Sequence, residues 1–284
     1  MKIELNDVSF TYSKRGSFAL ENINTIFEKN EVVFILGATG SGKSTLVSHL
    51  NGLLFASNGT VTVDIDNQRF ILTKKLSGIK NIRKNIGIVF QTPENQLFES
   101  TVFNDVMFGP LNFSNDHDDA KNSAALSLDA VKLDKTYYEK SPFKLSGGEK
   151  RKVAIAGVLA SRPRVLIFDE PTSNLDGKST KQFFEMVKDL KSQGCMIIII
   201  SHNENLAYEY ADRIIIMSKG KIVSDGDYKS VFENKEILAK SGIETPFIVR
   251  VKESLKINND VRNIKDLANV LRGDTLWIQN LLNM

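Results

Sequence analysis

The run Gly37-Ala38-Thr39-Gly40-Ser41-Gly42-Lys43-Ser44-Thr45 constrains the fold more than any other stretch of the sequence. It follows the apolar segment Glu31 to Leu36 and precedes helical text from about Lys43, so it reads as the turn between a buried parallel strand and a helix. In that setting the spacing fits a phosphate-binding loop. Glycines let backbone N–H groups close around β- and γ-phosphates, and the helix N-terminus adds positive potential. Lys43 supplies a full charge, and the Ser44 hydroxyl is a candidate magnesium ligand.

A second buried strand, Val165 to Phe168, ends in the carboxylates Asp169 and Glu170, at the edge where open α/β sheets bind ligands. Asp169 is placed to hold magnesium, directly or through water, and Glu170 to polarise the water that attacks a γ-phosphate. An acidic helix cap would explain one of the two carboxylates but not the pair. Farther up the chain, Leu145-Ser146-Gly147-Gly148-Glu149 introduces a helix over Lys150 to Ala160, which presents a hydroxyl and open backbone donors at a positive helix end. Simple capping accounts for that run equally well until it is set beside the loop and the carboxylates.

Taken together, and in the chain order phosphate loop, Leu-Ser-Gly-Gly run, acidic strand, these elements resemble the ATPase subunits of ABC transporters, over Met1 to about Ala239. The resemblance implies ATP and Mg2+ and an α/β fold of the P-loop NTPase, ABC-ATPase type. That fold has a RecA-like parallel-sheet core, an antiparallel β subdomain and a helical signature subdomain over about 92–160. It also assigns Tyr12 to adenine stacking, Gln91 to magnesium and coupling, Asp176 to the loop after the acidic strand and His202 to the γ-phosphate. On its own, Tyr12 reads equally as a strand aromatic, Gln91 as a polar strand end and Asp176 as a helix cap. His202 follows the buried run Met196 to Ile200, while His49 and His117 lack such placement and stay unassigned. Asn174 stands where the family usually has glycine, and Gly177 often where it has proline.

Gln91 through Phe98, Val102 through Pro110 and Lys150 through Ala160 are similar to a narrower group, the energy-coupling factor branch of ABC importers for vitamins or transition-metal ions. That branch implies a second ATPase subunit, identical or not, a transmembrane coupling protein and a substrate-binding membrane subunit. Phe98, Val102, Phe103 and Met107 read either as the coupling surface or as subdomain core. The expected division is an ATPase domain over 1–243 and a C-terminal helical extension over 244–284 that holds the ATPase pair together. Apolar positions at Ile248, Val251 and Leu255, at Val261, Ile264, Leu267 and Leu271, and at Leu276 to Leu282 mark its helices.

The 284 residues are 42% hydrophobic and 25% charged, a globular balance, and 37 basic against 34 acidic residues leave no basic surplus for a nucleic-acid partner. Cys195, the single cysteine, reads as a small buried hydrophobe. Charges within Met1 to Asp7 argue against a secretory leader, and no run reaches the roughly 20 apolar residues of a membrane helix. The expected location is therefore peripheral, at the cytoplasmic face of the membrane. Soluble ABC ATPases of ribosomes or DNA are the competing class, along with other ABC transporter branches, but their usual paired or coiled-coil-interrupted cassettes are missing here. The solute stays unspecified, because it never touches such a subunit.

Overall fold

The computed structural model describes residues 1–13, 16–114, 116–173 and 175–273. The chain opens with β1 (Lys2–Phe10) and β2 (Leu20–Phe27), paired antiparallel. Ile3, Leu5, Val8, Leu20, Ile23 and Phe27 are buried, close to the period of two that a one-sided sheet requires. β3 (Val32–Leu36) is buried throughout and passes through the glycine-rich turn into α1 (Lys43–Leu50). β4 (Asn58–Ile65) and β5 (Gln68–Ile71) complete a four-stranded sheet in the order β2-β1-β4-β5. α2 (Ile79–Asn85) and β6 (Ile86–Val89) lead into a helical stretch of α3 (Val102–Ser114), α4 (His117–Ala130) and α5 (Gly147–Leu159).

Strands and helices then alternate: β7 (Val165–Asp169), α6 (Gly177–Ser192), β8 (Met196–Ile200), α7 (Glu204–Tyr210), β9 (Arg213–Ser218) and β10 (Lys221–Asp227). The remaining described elements are α8 (Tyr228–Glu233), α9 (Lys235–Ser241), α10 (Phe247–Leu255) and α11 (Ile264–Gly273). β9, β3, β8, β7 and β6 form a parallel sheet in that order, with β10 antiparallel at its edge.

Both faces of this sheet are covered. Phe34, Phe168, Ile197 and Ile199 enter one core with the helices, while Val33, Ile35, Ile167 and Ile198 enter another against the antiparallel sheet and α1. Two-sided burial is why these strands read as unbroken apolar runs, each side chain contributing about 1.5–3 kcal/mol. It also fixes the carboxyl ends of β3, β7 and β8 side by side.

Gly109-Pro110 is expected to break the helical text, and it does not. α3 continues to Ser114 with Pro110 inside it. A proline removes one intrahelical hydrogen bond, and here Val102, Val106 and Pro110 are buried in compensation. Gly109 meets the end of α5 closely, since a Cβ there would lie 3.4 Å from Gly157 O and 2.8 Å from Ser161 Oγ just beyond the helix.

The described part of the tail packs on the ATPase core through Ile248, Ile257, Val261 and Leu267. Arg262 fastens it, with its guanidinium 3.9 Å from the Tyr228 ring centroid and its N–H groups donating to the carbonyls of Tyr208 and Ala211. The Leu276, Trp277, Leu281 and Leu282 cluster lies outside the described residues, as does Asn174.

Candidate nucleotide site

β3 delivers the chain to Gly37, whose φ of 150° and surroundings exclude a side chain, because a Cβ would collide with the Met217 carbonyl oxygen. Gly42 repeats the demand, with φ 103° and the Ala19 carbonyl oxygen 2.6 Å from where a Cβ would stand. As the N-cap of α1, Gly42 offers no side-chain cap, and no acidic residue occupies the first turn. The leading N–H groups of α1 therefore keep their partial positive charge for an anion.

Lys43 is buried, and its Nζ donates to the carbonyls of Gly37 (2.7 Å) and Ala38 (3.0 Å). Burial pulls its pKa down, against the attraction of Glu170 and Asp169. Ser44 Oγ donates to Asp169 Oδ2 at 3.0 Å, which ties the loop to the end of β7. Thr45 Oγ1 lies 3.0 Å from the Tyr12 hydroxyl, and Tyr12 as a whole is 70% exposed. Ser41 Oγ is buried without a hydrogen-bond partner.

Glu170, one residue past β7, adopts φ 50°, a left-handed conformation that costs a non-glycine residue about 1–2 kcal/mol. Neighbours hold it there: its N–H donates to Ile200 O at 3.0 Å, and Ser173 Oγ donates to its carbonyl at 2.8 Å. His202, just beyond β8, brings Nε2 to 3.1 Å from Glu170 Oε1, an oxygen with no well-formed hydrogen bond. Burial raises the pKa of both Asp169 and Glu170 and lowers that of His202. Each group thus sits in a pocket that disfavours its charged form.

A half-buried Asp169 bonded to a hydroxyl fits a divalent cation, which would favour its ionised form. Among the described residues, no group of three His, Cys, Asp or Glu side chains could hold a metal ion. Magnesium suits such a site, since it takes one or two carboxylates and completes its shell with phosphates and water. Gln91 is exposed two residues past β6, whose last paired residue, Val89, lies opposite Phe168 of β7.

Ser146, Gly147 and Gly148 do not join this cluster. Ser146 caps α5 in a capping box with Glu149, and with Gly148 it lines a separate cleft of about 570 Å³ shared with Arg151, Pro171, Leu175 and Ser179. Asp176 caps α6 by accepting from Ser179 N at 2.7 Å, a bond that holds its pKa low. Both carry out the local capping role that their residue types allow.

The ABC transporter family model matches residues 20–173. The energy-coupling factor transporter ATP-binding protein EcfA2 of Mycoplasmoides gallisepticum is 41% identical over 268 residues, covering 89% of this chain and 84% of that protein. EcfA2 of Caldanaerobacter subterraneus is 42% identical over 261 residues, 90% of each. This chain belongs to the energy-coupling factor branch of the ABC transporter ATP-binding proteins. It is an ATP-binding and ATP-hydrolysing transport subunit. The fold agrees: CbiO1 of Clostridium perfringens, described as part of the ABC transporter complex CbiONQ, superposes with a TM-score of 0.72 at 35% identity, covering 88% of this chain and 98% of that one. A dimeric bacterial ABC transporter cassette, MJ0796, gives a TM-score of 0.70 at 29% identity over 80% and 98% of the two chains.

Within this family frame, two residues gain places that the sequence did not suggest. Arg151, in the helix that the sequence places after Glu149, donates to the carbonyls of Pro171 (3.2 Å) and Ser173 (2.8 Å), bridging α5 to the loop after Glu170. His49 is fully buried beneath the phosphate loop. Of the apolar residues before and within α3, Val102 is core and Phe103 and Met107 pack against it. Phe98 is exposed and meets Phe108 edge-on at 4.7 Å.

Proposed function

We propose that the chain powers uptake of a micronutrient, a vitamin or transition-metal ion, as one of two ATPase subunits that share their nucleotides head to tail. The reading rests on one observation. Lys43, Ser44, Asp169, Glu170 and His202 converge at the carboxyl edge of β3, β7 and β8, while Ser146 and Gly148 line a different cleft. One subunit then supplies the phosphate loop and the other the signature for each ATP, so neither completes a site alone.

In this account the N–H groups of Gly40 to Thr45, with Ala38, Thr39 and Ser41 shaping the turn, cradle the triphosphate, and Lys43 turns its ammonium from the loop carbonyls to the β- and γ-phosphates. Tyr12 stacks on adenine. Ser44, Asp169 and Gln91 would hold magnesium, which would offset phosphate charge. Glu170 orients and polarises the attacking water, and His202 bonds the γ-phosphate beside it. Asp176 faces the subunit junction. Exposed Phe98 and Phe108 lie in the segment that would pass closure to a membrane coupling subunit, keeping the chain peripheral; no described helix is long and apolar enough to cross a membrane.

Two variants test the sharing. Lys43→Ala is expected to abolish turnover in the assembled transporter, as removal of the one charge aimed at the phosphates should. Ser146→Arg is expected to block turnover while ATP affinity of the isolated subunit, read by fluorescent-nucleotide titration, stays at the parent value. Loss of that affinity would contradict the shared site.

A further inference from the structure

His49 is fully buried on α1, one turn below the phosphate loop, and takes no part in the hydrolysis steps. Its Nδ1 lies 2.7 Å from the Thr45 carbonyl oxygen, and its ring meets Phe10 edge-on with centroids 4.8 Å apart. Phe10 in turn meets the Tyr12 ring edge-on at 4.9 Å, and the Tyr12 hydroxyl returns to Thr45 Oγ1 at 3.0 Å. His49, Phe10, Tyr12 and Thr45 thus form a closed circuit between the last residue of β1, a residue two positions past its end, and the first turns of α1.

Two properties set this histidine apart from filler. Nε2, turned toward the Phe55 backbone, is buried with no well-formed hydrogen bond, a cost that a leucine of similar volume would avoid. Burial also lowers its pKa, which favours a neutral ring with Nδ1–H donating to Thr45 O. That bond adds to the helical bond Thr45 O already accepts in α1, at the turn that carries Lys43 and Ser44.

We propose that His49 is a positioning residue for nucleobase recognition: through Phe10 and Thr45 it fixes the exposed Tyr12 ring relative to the phosphate loop. Base and triphosphate are then held in register by one buried side chain that touches neither. The inference rests on the reading of Tyr12 as the adenine platform. Tyr12 stays largely exposed to a ligand while its hydroxyl is tethered to Thr45 and its ring packs at right angles on Phe10, the combination that a preorganised stacking surface needs.

The test compares affinities for MgATP and for inorganic tripolyphosphate with magnesium, measured by calorimetry on the full chain. The quantity read is the ratio of the two, because a general loss of fold lowers both and leaves the ratio unchanged. His49→Leu is expected to reduce the preference for ATP by roughly threefold to tenfold, the scale of one aromatic contact or hydrogen bond. His49→Phe, which keeps the ring edge and loses the Nδ1 donor, should fall between, and it carries the test if the leucine variant does not fold. Tyr12→Ala is the reference. If it reduces the preference and both His49 variants retain the parent ratio, the positioning role is overturned and the Tyr12 assignment stands. An unchanged ratio in Tyr12→Ala removes the adenine platform and this inference with it.

Discussion

Asp169 and Glu170 stand at neutral pH in surroundings that oppose their charge, and the fold holds Glu170 at φ 50° besides. Because burial raises the folded pKa of Asp169 above its unfolded value of about 3.9, the native state binds the proton more tightly. Its contribution to stability therefore falls as pH rises from that unfolded value through the folded one, and at pH 7 the ionised group is a net cost. Asp169→Asn is accordingly expected to raise the melting temperature of the nucleotide-free protein at pH 7 by roughly a few degrees, at about 2–4 °C per kcal/mol, while abolishing turnover. A lower melting temperature in differential scanning calorimetry would mean that the Ser44 bond outweighs the burial. The loop and the carboxylate pair were legible in the sequence because their chemistry demands fixed residue types at fixed spacing between a strand and a helix. His49 and Arg151 were not. Their roles come from through-space contacts with Phe10 and with Pro171 and Ser173, to which no local pattern points.

At the scale of elements, α5 carries the signature at its N-terminus and, one turn along, the Arg151 guanidinium that grips the loop leading away from Glu170. That contact links α5 directly to the loop leading away from the left-handed Glu170. Replacing Arg151 with methionine keeps much of the apolar stem and removes both bonds to backbone carbonyls. The expected loss in kcat is about tenfold, near the low end for a charge-assisted hydrogen bond, with ATP affinity of the isolated subunit unchanged. Equal losses in kcat and affinity would assign Arg151 to plain stability. Element boundaries were mostly readable from apolar periodicity and caps: Ser146 and Asp176 both begin helices as their residue types suggest. The helix through Gly109-Pro110 was not, since its continuity comes from burial of Val102, Val106 and Pro110, a tertiary effect that outweighs one missing bond.

For the whole molecule, the tail has two parts with separate expectations. Residues 247–273 add Ile248, Val261 and Leu267 to the ATPase core, so removing them should destabilise the domain itself. Ending the chain at residue 273 instead removes Leu276, Trp277, Leu281 and Leu282. Such a truncation is expected to keep the melting temperature and weaken pairing of ATPase subunits without nucleotide, as loss of an aromatic anchor would. An unchanged mass by light scattering would contradict a clamp in that segment.

The central claim is a motor whose two subunits close on ATP and reopen when Glu170 has directed its hydrolysis, and Glu170→Gln isolates that step. The change keeps shape and hydrogen-bonding capacity and removes the charge beside the attacking water, so binding survives and cleavage does not. ATP favours the closed pair and hydrolysis normally empties it. With the equivalent carboxylate of the partner ATPase also replaced, the protein should elute on size exclusion as an ATP-loaded dimer, with turnover reduced at least roughly 100-fold, the scale of a lost general base. Retained turnover with no nucleotide-trapped dimer would contradict the account.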